Sequence, residues 1–388
     1  IKKRKPRHIY HKNKYADIRK SPAPAWNLVS LQSYLGASVQ YSRGCPYECE
    51  FCAVIATDGH VPRTKSSEQF LNELQMLYAQ GWRGHVFIVD DNFNMNKKKL
   101  KEELFPALIS WVKKHNYPFF FFTQTTIELA DDDELMRLML EAGFYSVLVG
   151  IETINDESLK ECRKFHNRNR DLAADIKKIQ RQGLIVKGTF MLGFDRDDPS
   201  VFQKIIDFVQ ETRIVFMFPF LLRAVQGTKL YQRLSQENRL IKENFQNLVA
   251  INYVPKMDPK LILKGCEKIF TSLYSCKTYY NRIFLFIKEF RPARLKNTRG
   301  YYAQNILVGL KCILFFGIFS RERLHFWKLL LWALFHRSSA VYCLFIFLIE
   351  GHTIKNFFYE FMYRIKKYKL YNYLYVNADD KNFINRQL

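Results

Sequence analysis

Tyr41-Ser-Arg-Gly-Cys45-Pro-Tyr-Glu-Cys49-Glu-Phe-Cys52 follows the first apolar run of this chain, and its reading decides the fold. Cysteines separated by three and then two residues can wrap one face of a cubane iron–sulfur cluster. Three ligands for four irons leave one iron open to a small molecule. A structural zinc ion would want a fourth Cys or His. His60, eight residues beyond Cys52, is the nearest candidate for that place.

Working outward, a short apolar run alternates with an amphipathic stretch six times. The runs are Val39–Ser42, His85–Val89, Phe119–Thr123, Ser146–Gly150, Ile185–Leu192 and Ile214–Leu222. Helices are expected near Glu68–Gln80, Lys98–His115, Asp132–Ala142, Asp171–Gln182 and Ser200–Glu211. Ser66 with Gln69 reads as a capping box, and Gly81, Gly143 and Gly183 stand where helices end. Strands alternating with helices imply βαβ units and a parallel sheet. Right-handed crossovers wind such units into an open or closed barrel. The site of such a fold lies at the C-terminal ends of its strands. A cysteine motif after the first strand is therefore in the right place for a catalytic cluster rather than a zinc clip.

The residues after each run are the ones to inspect. The second run leads into Asp90-Asp91-Asn92. A carboxylate there suits an ammonium group in a dry site, although Asp91 or Asn92 would equally cap the next helix. The third leads into Thr123-Gln124-Thr125, polar groups at the barrel mouth. The fourth leads into Glu152, which can accept from two vicinal hydroxyls or sit as an acid in a helix first turn. The fifth reaches Gly193, where a ligand can approach the backbone closely. Asp195 and Asp197 beyond it also fit a turn before Pro199.

The motif Cys45-x3-Cys49-x2-Cys52, with aromatic Phe51 before the last cysteine, resembles the signature of the radical S-adenosylmethionine (SAM) superfamily. That resemblance implies a partial (β/α)6 TIM-like barrel and a [4Fe-4S] cluster on the three cysteines. It implies reductive cleavage of SAM to a 5′-deoxyadenosyl radical that takes hydrogen from an unactivated C–H bond. It places Phe51 beside the adenine, Asp90 and Asp91 near the SAM amino group, and Glu152 on the ribose hydroxyls. Gln124 and Gly193 would face SAM or substrate. Segments Gln40–Cys52, His60–Lys65, Val89–Phe93, Gly150–Thr153, Gly193–Asp195 and Gly227–Arg239 look more closely like radical SAM proteins with a cobalamin-binding domain and a DUF4070 region, the hopanoid C2-methylase-like group. Tyr253–Pro259 and Leu273–Arg282 look like that C-terminal region. Arg223-Ala-Val-Gln-Gly227-Thr228-Lys-Leu-Tyr231 resembles a Pro-Gly-Thr-x-Leu-Tyr element with Gln226 in place of proline. The group's cobalamin domain precedes the barrel, and the chain holds no Asp-x-His-x-x-Gly cobalamin motif. Beginning at Ile1, the chain is expected to be part of a longer protein. The expected divisions are a basic linker over 1–33, the barrel over 34–235, a DUF4070-like helical region over 236–299 and an aromatic, basic helical extension over 300–388.

Composition adds partners. A formal net charge of +23 favours polyanions or an anionic membrane surface. Eight cysteines, five of them scattered, suit a reducing cytoplasm and no disulfide framework. The expected partners are a small-molecule or lipid substrate and a reductant such as flavodoxin or ferredoxin. Nucleic acid ranks last because no RNA-binding module is recognisable. The aromatic, basic extension reads either as a helical cap or as an element peripheral to the inner membrane surface. Its longest charge-free stretch, Ser338–Ile349, is shorter than the ~20 residues of a span, so no transmembrane helix is expected. Competing with methylation are a cobalamin-independent radical SAM reaction and a non-catalytic metal-binding scaffold.

Overall fold

Six apolar runs become six strands in one sheet: β1 Ala37–Val39, β2 Gly84–Ile88, β3 Phe119–Thr125, β4 Phe144–Glu152, β5 Ile185–Leu192 and β6 Phe216–Leu221. The structure, a computed structural model, describes residues 15–241, 251–291 and 309–367. Of the expected divisions, residues 1–14 of the basic linker, 242–250 and 292–299 of the DUF4070-like region, and 300–308 and 368–388 of the extension lie outside the described residues.

The strands lie side by side in chain order, and every neighbouring pair is parallel. Right-handed crossovers that always step the same way put all their helices on one face of a sheet. The other face then needs covering, which curling into a partial barrel achieves. Alternation along the strands follows from this. Val86, Ile88, Phe119, Phe121, Val147, Val149, Phe190 and Met217 are buried in the core. Phe87, Phe122, Tyr145, Leu148, Lys187 and Phe218 belong to the opposite face. Phe87 stacks on Phe122 with ring centres 4.4 Å apart, and the Lys187 ammonium lies 5.3 Å from the Phe122 ring.

Caps form where the sequence places them. Ser66 accepts from the Gln69 amide to start Ser67–Ala79, Asp132 starts Asp133–Glu141, and Asp171 starts Leu172–Gln182. Two elements differ from expectation. The first strand ends at Val39, and just beyond it Asp90 captures the Tyr41 and Ser42 amides. Ser42–Arg43 then pairs antiparallel with Arg63–Thr64. The helix expected over Lys98–His115 is broken into a turn at Lys97–Lys99, a π-helical turn at Leu100–Leu104 and an α-helix at Phe105–Lys114. Pro106 has no amide hydrogen to give, so the ladder loosens just ahead of it.

Beyond the sheet, the region from Tyr231 reads as polar in sequence but folds with a buried apolar face. In helix Pro259–Tyr274, Ile262, Cys266, Ile269, Phe270 and Leu273 are buried, and Gly265 lies against the Phe202 ring. Tyr274 fixes this helix to β6: its hydroxyl donates to the Met217 carbonyl at 2.9 Å and accepts from the Met217 amide at 3.1 Å. The described part of the extension is helical, as expected. Its last helix, Val341–Lys367, corrects the reading from charge-free length. It runs on through Glu350, and Val341–Ile365 is long and apolar enough to cross a membrane by length and composition. Here it packs beneath the N-terminal ends of the strands. Tyr342 meets Phe120, Phe347 meets Phe216, and Glu350 pairs with Lys187 at 2.7 Å.

Candidate active site

The loop after β1 is held from several sides. Asp90, fully buried at the end of β2, accepts from the Tyr41 amide at 2.7 Å, the Ser42 amide at 2.8 Å and the Ser42 hydroxyl at 2.6 Å. The Cys45 amide donates to the Gly59 carbonyl at 3.2 Å. Gly44 precedes it at φ +96°, where an added Cβ would press on the carbonyls of Val61, Gly59 and Asp58. The Glu50 amide donates to the Cys162 carbonyl and the Leu230 amide to the Glu50 carbonyl, both at 2.8 Å. Between the first two cysteines, Tyr47 bonds the Glu128 carboxylate and packs on His166 with ring centres 3.9 Å apart.

Cys49 is buried, and Cys45 and Cys52 are half-buried. Burial pushes all three thiols up, Cys49 to about 11, and the Lys164 ammonium opposes the shift at each. Asn92 reaches Cys45 with its side-chain amide at 3.9 Å. His60 is exposed. Among the described residues no group of three or more His, Cys, Asp or Glu side chains is placed to hold a single metal ion.

Beside this loop the end of β4 is distorted. Its register with β5 shifts between Gly150 and Glu152, and Glu152 takes a left-handed backbone at φ +64°. A non-glycine residue there costs on the order of 1 kcal/mol. Asn167 holds the bulge by donating to the Gly150 and Ile151 carbonyls, both at 3.0 Å. The result is a buried ion pair, Lys164 Nζ to Glu152 Oε1 at 3.1 Å, with side chains 9% and 7% exposed. Among the described residues, Glu152 Oε2, Asn92 Oδ1 and Thr125 Oγ1 are buried and have no hydrogen-bond partner. Sequence reasoning finds Glu152 but misses Lys164 and Asn167, which lie past the strand in a stretch with no periodic signal.

Residues 39–209 match the radical SAM superfamily, and residues 228–367 match DUF4070, a domain of unknown function. The chain carries a radical SAM domain and a DUF4070 region. It is 38% identical over 319 residues to an uncharacterized methyltransferase of Synechocystis, covering 80% of this chain and 59% of that one. It is 30% identical over 341 residues to the hopanoid C-2 methylase of Rhodopseudomonas palustris, covering 87% and 64%. The chain thus spans about three fifths of the length of the curated relatives it matches. Among solved structures it resembles OxsB, a cobalamin-dependent SAM radical enzyme, with a TM-score of 0.52 at 13% identity over 95% of this chain and 62% of that one. That likeness is one of fold, and it agrees with the expected six-stranded α/β architecture with a helical C-terminal region.

The DUF4070 region is joined to the radical SAM domain at the cysteine loop itself. Thr228 caps helix Lys229–Gln236, accepting from the Tyr231 amide. From that helix Lys229 pairs with Glu48, and Arg233 bonds Glu50 at 2.6 Å and Asp195 at 3.0 Å. Arg239 forks onto Asp195 with two contacts of 2.6 Å. Despite burial, these guanidiniums hold the Asp195 carboxyl below the usual carboxylate range. Arg233→Ala is expected to cost about 1–2 kcal/mol, since the site is only partly buried. Arg233→Lys should recover only part of it, because an ammonium cannot reproduce the fork. Urea midpoints of the three proteins check this, and an unchanged midpoint in Arg233→Ala would refute it.

Two residues expected near SAM also have structural partners within the protein. Asp90 spends its carboxylate beneath the loop, and Asp91, half-buried, is the acid left near the thiols. Gly193, at φ +112°, does allow a close approach, but the partner is Tyr253 of the DUF4070 region, whose hydroxyl donates to the Gly193 carbonyl at 2.7 Å. Phe51 is partly buried, its ring centre 6.2 Å from that of Phe194. Gln124 sits half-buried beside Leu148 across the β3–β4 pair.

Proposed function

We propose that the chain is the catalytic part of a radical SAM methyltransferase acting on a lipid or other hydrophobic substrate in the cytoplasm. The observation that carries this reading is the Glu152 carboxylate beside the cysteine loop, one oxygen on Lys164 and the other buried without a donor among the described residues. A vicinal diol such as the SAM ribose supplies the missing donors. Asp91 would take the ammonium of SAM, and Phe51 would lie along the adenine. Cys45, Cys49 and Cys52 fit a [4Fe-4S] cluster as three thiols on one tethered loop, under the field of one buried ammonium. When bound, the cluster supplies the electron that cleaves SAM reductively, and a flavodoxin- or ferredoxin-like protein would restore it.

This chain's own residues then shape the substrate's path. Phe87, Phe122, Leu148, Met191 and Phe218 give the face opposite the helices an apolar lining. The Lys187–Glu350 pair closes its lower end. Such a lining suits a hydrophobic molecule and limits access of water to a reactive intermediate. The name of the hopanoid methylase supports methylation of a lipid. Cobalamin would be the methyl carrier in this reading.

Glu152→Ala is expected to weaken SAM binding to the cluster-loaded protein at least about tenfold, the cost of charge-assisted bonds to two hydroxyls. Equilibrium dialysis with labelled SAM reads this, with iron content and thermal midpoint as controls. Unchanged SAM affinity in a folded, iron-loaded variant would remove Glu152 from the site.

A further inference from the structure

The extension carries more apolar surface than it buries. In helix Arg323–His336, Phe326, Leu329, Leu330 and Ala333 pack onto the protein. The opposite side is equally apolar and uncovered by any of the described residues. Leu324 is 78% exposed and Phe335 82%, with Trp327, Leu331 and Leu334 also exposed between them. These positions recur at three- and four-residue steps and so form one stripe. The neighbouring segment 309–319 repeats the arrangement. Cys312 and Phe316 are buried, while Leu310, Leu314, Phe315, Ile318 and Phe319 are exposed. A helix that is apolar all round ordinarily has neighbours on every side, and an exposed patch of this kind marks an interaction surface.

Charge identifies what covers it. Lys311, Arg323 and Lys328 lie on these two segments and Arg321 in the turn between them, all exposed. None of the four forms an ion pair among the described residues. Glu322, the acid among them, is taken by Lys355 at 2.7 Å. A protein partner would need an apolar centre with acids at the rim, and a second copy would bring its own four cations against these. An anionic bilayer offers both the acyl boundary and the negative headgroups at once.

Length decides between lying on a membrane and crossing it. Arg323–His336 has 14 residues, about 21 Å of helix, against a hydrocarbon core of about 30 Å. The longer helix Val341–Lys367 is tied to the body by Glu350 on Lys187, Lys355 on Glu322 and the stacking of Phe358 on Phe270, with ring centres 3.6 Å apart. It acts as a fixed base for the shorter two.

We propose that the exposed apolar face of segment 309–319 and helix Arg323–His336, with its cations Lys311, Arg321, Arg323 and Lys328, docks this chain in plane on an anionic lipid surface without spanning it. The inference stands on surface composition and does not depend on the substrate assigned above.

The test is sedimentation of the 388-residue chain with vesicles of phosphatidylcholine alone or mixed with phosphatidylglycerol. Binding to the anionic vesicles is expected, weakening about tenfold or more between low and high salt. Leu324→Asp with Phe335→Asp should lower it at least about tenfold by removing two apolar side chains and adding negative charge. Arg321→Glu with Arg323→Glu should lower it comparably. Both pairs are at the surface, and unchanged far-UV circular dichroism and thermal midpoints would show that they fold. Absence of binding to anionic vesicles overturns the proposal, as does binding that neither pair alters. Light scattering that shows a dimer of the parent chain, dissociated by Leu324→Asp with Phe335→Asp, also overturns it, because the face would then join two copies.

Discussion

Anaerobic reconstitution with iron and sulfide is expected to load about four irons per chain. Cys45→Ala, Cys49→Ala and Cys52→Ala should each load close to none. The effect is all-or-nothing because a cubane held by three thiolates has no spare protein ligand to lose. Cys162 is the informative control. It lies near enough to Cys49 for that thiol to raise its proton affinity, yet it is fully enclosed, and its thiol contacts the Leu159 carbonyl at 3.6 Å. Cys162→Ser should therefore keep the full iron load, as should serine at Cys266, Cys276, Cys312 and Cys343. About eight irons per parent chain, falling on loss of any of these five, would mean a second cluster. Zinc in place of iron in protein prepared without oxygen would end the cluster reading altogether.

What the sequence makes legible follows from how local each signal is. The strands and helices are readable because burial forces a period of two or 3.6 on the side chains, and because Ser66, Asp132 and Asp171 cap within their own segments. The cysteine loop is readable because all its ligands come from eight consecutive residues. What the sequence hides depends on distant partners. Asp90 looks like a ligand-facing acid until its hydrogen bonds are traced back to Tyr41 and Ser42, nearly fifty positions earlier. Gly193 marks a close approach correctly, but nothing nearby in sequence says that Tyr253 makes it. Lys164 and Arg233 carry no pattern at all. Each is one lysine or arginine among 60, and only the fold brings it to the loop. Charge-free length likewise understates Val341–Lys367, because Glu350 interrupts the run in sequence but is neutralised across the fold by Lys187.

Lys164→Met is expected to cost about 3–5 kcal/mol in the metal-free protein, the largest stability loss of any single change at the site. The Lys164 side chain is 9% exposed, and its ammonium meets Glu152 at 3.1 Å. Removing it leaves a carboxylate that is 7% exposed, with one oxygen already lacking a donor. Such a charge must either stay ionised in a poor environment or take up a proton, and both raise the energy of the fold. Glu152→Leu should be costly for the mirror reason, leaving a buried ammonium alone. The double variant distinguishes an interaction between the two from two unrelated losses. With both charges gone the site is apolar and of similar volume, so the pair of changes should cost no more than the worse single one. Urea unfolding of the parent and three variants at neutral pH gives the four free energies of the cycle. Additive costs would show that Lys164 supports the fold through something other than Glu152. A coupling of several kcal/mol would show instead that Lys164 exists at this position to keep an ionised carboxylate beside the cysteine loop, ready to accept hydrogen bonds from a ligand.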